Sequence, residues 1–167
     1  MYIESLDFDP SMFATEITWT SNAKESMKTI DDLQADMYSI ASQLNAPLSE
    51  YEREITIPTE DPKPSWGAWY EMGDNGQYLC ISTDERTYER NLRVFENEDE
   101  LLYSLTDSLI TDMAQRWELE RRQPGVDSRR MWFARKIELF GYINHRWQQR
   151  ASEEIKATLS RSPYRDV

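Results

Sequence analysis

Trp66-Gly67-Ala68-Trp69-Tyr70-Glu71, Gly73-Asp74-Asn75-Gly76 and Tyr78-Leu79-Cys80-Ile81 follow one another almost without a break. Two short runs rich in aromatic and branched residues flank a Gly/Asp/Asn/Gly loop. Asn and Gly tolerate the positive φ that a tight reversal needs, so this stretch predicts a β-hairpin. The runs are too short and too aromatic for an amphipathic helix. Tyr88 to Phe95, set off by the polar turn Asp84-Glu85-Arg86, predicts a further strand.

Upstream, Tyr51, Arg53, Ile55 and Ile57 alternate with Glu50, Glu52, Glu54 and Thr56. Period two predicts a strand with a glutamate ladder on its wet face. Pro58, Pro62 and Pro64 then stiffen the chain before the hairpin. Three or four strands joined by short turns imply an antiparallel meander.

Helical periodicity brackets the meander. Met27, Ile30, Leu33, Met37, Ile40 and Leu44 recur at steps of three and four, which predicts a helix over 21–45 capped by Ser21. Asn45-Ala46-Pro47 ends it, since the residue before Pro is pushed out of the helical region. Asn97 followed by Glu98, Asp99 and Glu100 opens a helix over 97–122 with Leu102, Leu105, Leu109, Met113 and Trp117 inward. Gln123-Pro124-Gly125 breaks it. Asp127 caps a helix with Met131, Phe133, Ala134, Ile137 and Phe140 inward, which Gly141 stops. Asn144 caps a last one with Trp147, Ala151, Ile155 and Leu159. Phe13, Ile17 and Trp19 read as an extended piece or a loop over the core. The expectation is one α+β domain over 1–167: a leading helix, a three- to four-stranded antiparallel meander, and a helical C-terminal half packed on one sheet face.

Composition narrows the function. The 167 residues carry 19 Lys and Arg against 31 Asp and Glu, a formal charge of −12. That balance opposes nucleic-acid phosphates and favours a basic partner. The charge is uneven: residues 1–100 sum to −15 and residues 101–167 to +3. There are 6 Trp, 9 Tyr and 5 Phe, enough apolar surface to support a core. No apolar run approaches the roughly 20 residues that span a bilayer. The start, MYIESLDFDP, lacks the basic and apolar regions of a signal peptide, so a cytoplasmic protein is expected.

The equipment for catalysis is thin. His145 is the only histidine and Cys80 the only cysteine. His145 sits just after a helix cap and reads as a polar helix-start residue. Cys80 sits in an apolar strand with no cation to lower its pKa, and reads as a buried structural thiol. There is no GxGxxG, no P-loop and no calcium-loop series, so neither a cofactor nor a metal is expected. Arg121-Arg122 and Arg129-Arg130 flank the 123–126 loop and are expected to pair with acids of the same chain.

The C-terminal half carries a further signal. Asp99-Glu100-Leu101-Leu102-Tyr103, Met113-Ala114, Glu118-Leu119-Glu120, Arg121-Arg122, Pro124-Gly125, Asp127-Ser128-Arg129-Arg130, Glu138-Leu139-Phe140-Gly141, Asn144, Trp147 and Ser162-Pro163-Tyr164-Arg165-Asp166 occur in this order. Over about residues 66–166 this resembles the immunity protein 63 family of bacterial polymorphic toxin systems. The family pattern often has Pro where His145 stands, and Gln123 before Pro124 is a mild departure. The resemblance implies a non-enzymatic cytosolic protein that binds one cognate toxin domain and blocks it, as in effector–immunity pairs.

Candidate contact residues are the acids Glu71, Asp74, Asp84, Glu85, Glu96 and Glu98, with Trp66 and Tyr70 as aromatic anchors. Two other readings compete. A secretion chaperone or adaptor for an effector would also be acidic and non-catalytic. A metal-dependent hydrolase would need carboxylates such as Glu52, Asp84 and Glu98 to converge on one pocket. The oligomeric state is not legible.

Overall fold

A computed structural model describes residues 27–59, 67–83 and 90–166. The expectations placed on residues 1–20, Ser21, Pro62, Pro64, Trp66, Asp84, Glu85 and Tyr88 lie outside them. The element order is α1 (Ile30–Gln43), α2 (Leu48–Ile55), β1 (Gly67–Met72), β2 (Tyr78–Thr83), β3 (Arg90–Phe95), α3 (Glu98–Arg121), α4 (Arg129–Gly141) and α5 (His145–Arg161). The fold is α+β, with helices on either side of the meander in the chain.

The first helix starts later than the periodicity predicts. Residues 27–29 are not helical, and Thr29 is the cap. Its hydroxyl accepts from the Asp32 amide at 3.1 Å, while the Asp32 carboxylate accepts from the Thr29 amide at 2.8 Å. This reciprocal capping box satisfies two donors that a helix N-terminus leaves open. Asn45, at φ 53°, ends the helix in the left-handed conformation, and the Ala46 amide donates back to the Ala41 carbonyl.

Residues 50–57 are not a strand. Residues 48–55 form helix α2, with Pro47 at its start and Tyr51 bent out of helical geometry at φ −125°. Tyr51 and Ile55 are buried, as the alternation requires, but Arg53 between them is exposed. A step of four residues satisfies both a period of two and a helical turn, so Tyr51 and Ile55 fit either reading. Gln34 of α1 pins the exit of α2: its Nε2 donates to the Ile55 carbonyl at 3.0 Å and its Oε1 accepts from the Ile57 amide at 2.7 Å. The glutamate ladder therefore does not exist.

Among the described residues the sheet has three strands in the order β1-β2-β3, both pairs antiparallel. Rows run Met72↔Tyr78↔Phe95 at one end and Gly67↔Thr83↔Arg90 at the other. The Gly73 amide closes the β1–β2 loop onto the Gln77 carbonyl at 2.9 Å, and the positive φ of that loop (79°) falls at Gly76. Tyr70, Cys80, Tyr78 and Phe95 face the core. Alternation places Trp69, Ile81 and Leu92 on the opposite face. Trp69 is 2% exposed even there, whereas Leu92 is 62% exposed.

Helix α3 runs through the middle of the molecule. Leu101, Leu102, Leu105, Thr106, Leu109, Ile110 and Ala114 are buried around much of its circumference, because α1 and α2 pack on one side and α4 on another. Such a helix loses the narrow stripe expected of a surface helix. In α4 the predicted Ala134 is exposed and Leu139 is buried in its place. Helix α5 packs on α4 and follows the predicted stripe to Ile155, with Leu159 half-buried. An aromatic cluster joins these helices: Tyr103 stacks on Phe140 at 5.4 Å and meets Trp147 edge-on at 5.9 Å.

Candidate functional site

The register decides where the acids go. Met72, Tyr78 and Phe95 form the last row of the sheet, so the β1–β2 loop and the β3–α3 turn leave from the same end. Gln77 Nε2 donates to Glu96 Oε2 at 2.8 Å across that gap. Glu96 is held in turn from α3, since its amide donates to Glu100 Oε2 at 3.0 Å. The Glu100 amide donates to the Asn97 side chain at 3.0 Å, so Asn97 is the cap expected from the sequence. The glutamate reaches one residue further back than in a standard capping box.

The start of α1 closes on the same place. The Tyr78 hydroxyl donates to the Lys28 carbonyl at 2.8 Å. Burial raises the pKa of that phenol, and the nearby charges of Glu98 and Asp32 raise it further. A Cβ added to Gly76 would stand 3.3 Å from Met27 Sδ, so the hairpin loop lies against the segment leading into α1. Asp31, Asp32, Asp74 and Glu96 are exposed, and Glu98 is half-buried. Thr29 holds the Asp32 carboxyl below the usual carboxylate range by hydrogen bonding, so it stays charged. Two helix N-termini and a hairpin loop thus present their carboxylates at one end of the sheet. Acids favour helix N-termini on electrostatic grounds, which explains why α1 and α3 both contribute them.

Of the candidate residues, Asp74, Glu96 and Glu98 come together here. Glu71 is half-buried on β1 opposite Leu79, on the outer face one residue short of the last row. Tyr70 turns inward: it packs against the core, and burial beside Cys80 raises the pKa of its hydroxyl. Trp66, Asp84 and Glu85 lie outside the described residues. Asp31 and Asp32 were not among the sequence candidates, because only the tertiary packing brings α1 to the hairpin.

The other chemistry-bearing residues have local partners. His145 is exposed at the start of α5, its ring nitrogens 3.2 Å from Gln148 Oε1 and Gln149 Nε2. Asn144 caps that helix by accepting from the Arg146 and Trp147 amides. Arg122 grips the buried Glu118 with two hydrogen bonds of 2.9 Å, and Arg121 pairs with Glu120 at 2.7 Å. Arg129 pairs with Asp127 at 2.6 Å and Arg130 with Asp166 at 2.8 Å. The pairing expected of both arginine clusters is therefore realised. Among the described residues no group of three or more His, Cys, Asp or Glu is placed to hold a metal, and no helix is long and apolar enough to cross a membrane.

The model of the family described as Immunity protein 63 matches residues 74–157. The chain belongs to this family. The matched span starts in the β1–β2 loop and runs through β2, β3, α3 and α4 into α5. It includes Asp74, Glu96 and Glu98 and excludes α1. No curated protein and no solved structure matches the chain. Membership makes this immunity protein a binder of a cognate toxin, a class that is generally non-enzymatic.

Proposed function

We propose that this immunity protein neutralises a basic toxin domain, such as a nuclease, by docking the acidic end of its sheet over the toxin's active site or an adjacent exosite. The carrying observation is that Asp32, Asp74, Glu96 and Glu98, from three separate chain segments, lie at the same end of the sheet. The uneven charge supports the same reading, since the first hundred residues sum to −15. Work in the cytoplasm of the producing cell follows from it.

A specific interface of this kind buries about 1,600 Å² in total. Electrostatic steering raises association toward about 10⁸ M⁻¹s⁻¹ at low salt, and added salt screens it over a Debye length of about 8–10 Å. The test pairs the purified protein with the toxin domain encoded by the neighbouring upstream reading frame. Co-expression is expected to rescue cells from that domain, and the association rate is expected to fall steeply with salt. Failure of rescue overturns the function. Rescue with a salt-independent association rate overturns the acidic docking surface alone.

A further inference from the structure

β3 is an edge strand, and among the described residues no strand pairs with its far side. At the other edge β1 is occupied: the Tyr70 amide donates to the Pro58 carbonyl at 2.8 Å. That bond also fixes which groups β3 turns outward. Residues of an antiparallel strand point their main-chain N–H and C=O alternately toward and away from a neighbouring strand. Tyr70 points away from β2, so Cys80 opposite it points toward β3, and Arg93 opposite Cys80 points back. Arg90, Leu92 and Val94 therefore offer their N–H and C=O groups to the open side.

Little on this strand blunts the edge. Natural edge strands are shortened, bulged, broken by Pro or charged against pairing. From Arg90 to Phe95 the register with β2 runs without a bulge, and the strand holds no Pro, Lys, Asp or Glu. Arg90 to Val94 are all exposed, Leu92 at 62% and Val94 at 41%. Leu92 and Val94 lie on the outer face, beside the half-buried Ile81 and Leu79. The charges of the strand are Arg90 and Arg93, and neither has a carboxylate partner among the described residues. Arg93 instead lies over the Phe95 ring at 4.5 Å.

We infer that β3 is a dimer edge, which pairs antiparallel with β3 of a second copy of this chain about a two-fold axis at Leu92. Leu92 then exchanges both main-chain bonds with Leu92 of the second copy, and Arg90 does the same with Val94. The two sheets become one, with the helices of both copies on the same face. Charge selects this partner. Each Arg90 comes diagonal to Glu96 of the second copy, at about 7–8 Å, within reach of a long side chain. The basic end of each strand thus meets the acidic end of the other sheet, although the chain as a whole carries −12. Charge also selects the register. An axis at Arg93 would set Arg93 against its own copy, and like charges directly opposite are destabilising. In the Leu92 register Arg93 faces Asn91, and its stacking on Phe95 draws it away from the axis. At the centre the two copies of Leu92, the most exposed of the large apolar side chains described, cover each other.

The test uses the full chain alone, so its outcome is separate from that of the immunity reading. Sedimentation from about 1 to 100 μM, the range suited to a small interface, is expected to show a monomer passing to a dimer. Leu92→Lys sets two charges face to face at the axis and is expected to raise the dimer Kd at least tenfold. Leu92 is exposed, so the core is untouched, and a thermal melt checks this. A second readout needs no variant: hydrogen exchange at the Arg90, Leu92 and Val94 amides is expected to slow as the wild-type concentration rises. A monomer throughout the range overturns the inference. So does a dimer whose Kd is unchanged by Leu92→Lys and whose β3 amides stay unprotected, since another face then pairs. Protection of those amides that appears only when the upstream-encoded toxin domain is added also overturns it, and gives the edge to the toxin.

Discussion

The Gln77 side-chain amide donates to the Glu96 carboxylate at 2.8 Å, fastening the β1–β2 loop to the turn that enters α3. Asp74 rides on that loop. Reversing two exposed charges here, Asp74→Lys with Glu96→Lys, is expected to slow toxin association about tenfold at low salt and to flatten its salt dependence. Stopped-flow association at several salt concentrations, beside a thermal melt, reads this. An unchanged low-salt rate in a folded variant argues that another face docks.

Gln34 bridges α1 to the exit of α2 through two backbone partners, Ile55 and Ile57. Gln34→Ala leaves a partly buried amide and carbonyl without that partner. The expected loss is about 1–3 kcal/mol in urea denaturation. A loss under about 0.5 kcal/mol implies that water replaces the glutamine at no cost.

Phe140 is fully buried against Tyr103 in the cluster that joins α3, α4 and α5. Phe140→Ala is expected to destabilise the protein by about 3–5 kcal/mol, from lost burial and the cavity left behind. Denaturant midpoints of both proteins decide it.

The C-terminal tail is tied down by carboxylates that titrate. Asp127 accepts from the Arg129 side chain and from the Arg165 amide, and Asp166 accepts from Arg130 and from the Asp127 amide. Hydrogen bonds from arginine hold both carboxyls below the usual carboxylate range. A carboxyl depressed in the folded state adds stability above its unfolded pKa of about 3.9, and loses it as pH falls toward the folded value. The tail is therefore expected to stay docked at neutral pH and to release in acid, below about pH 4. The amide resonances of Tyr164 and Arg165 followed against pH test this. Asp127→Asn is expected to mobilise the tail even at neutral pH, with α3 and α4 still folded.

Much of this architecture was legible locally. Asn97 and Asn144 cap the helices they precede, the Gly73–Gly76 loop turns a hairpin, and both arginine pairs find acids within the chain. Each of these is a contact between neighbours in sequence or an interaction that any polar surroundings reward. The failures share a different cause. Tyr51 and Ile55 satisfy two periods at once, so the helix at Leu48–Ile55 was hidden by its own spacing. The first described helix starts at a cap the periodicity did not single out, Thr29, which has Asp32 three residues on to reciprocate. In α4 Leu139 is buried beside the expected Phe133 and Phe140 while Ala134 is exposed, because the orientation of a weakly amphipathic helix is set by what packs on it.

The candidate site divides in the same way. Sequence alone established an acidic, aromatic-rich α+β chain, because charge, caps and periodicity are properties of short segments, and its C-terminal motifs resembled the immunity protein 63 family. Tertiary structure alone decided that Asp32, Asp74 and Glu98 share one end of the sheet, and that Tyr51 meets Arg116. Those residues are far apart in the chain, and only the antiparallel register and the packing of α1 and α2 on α3 bring their charges within range of one another.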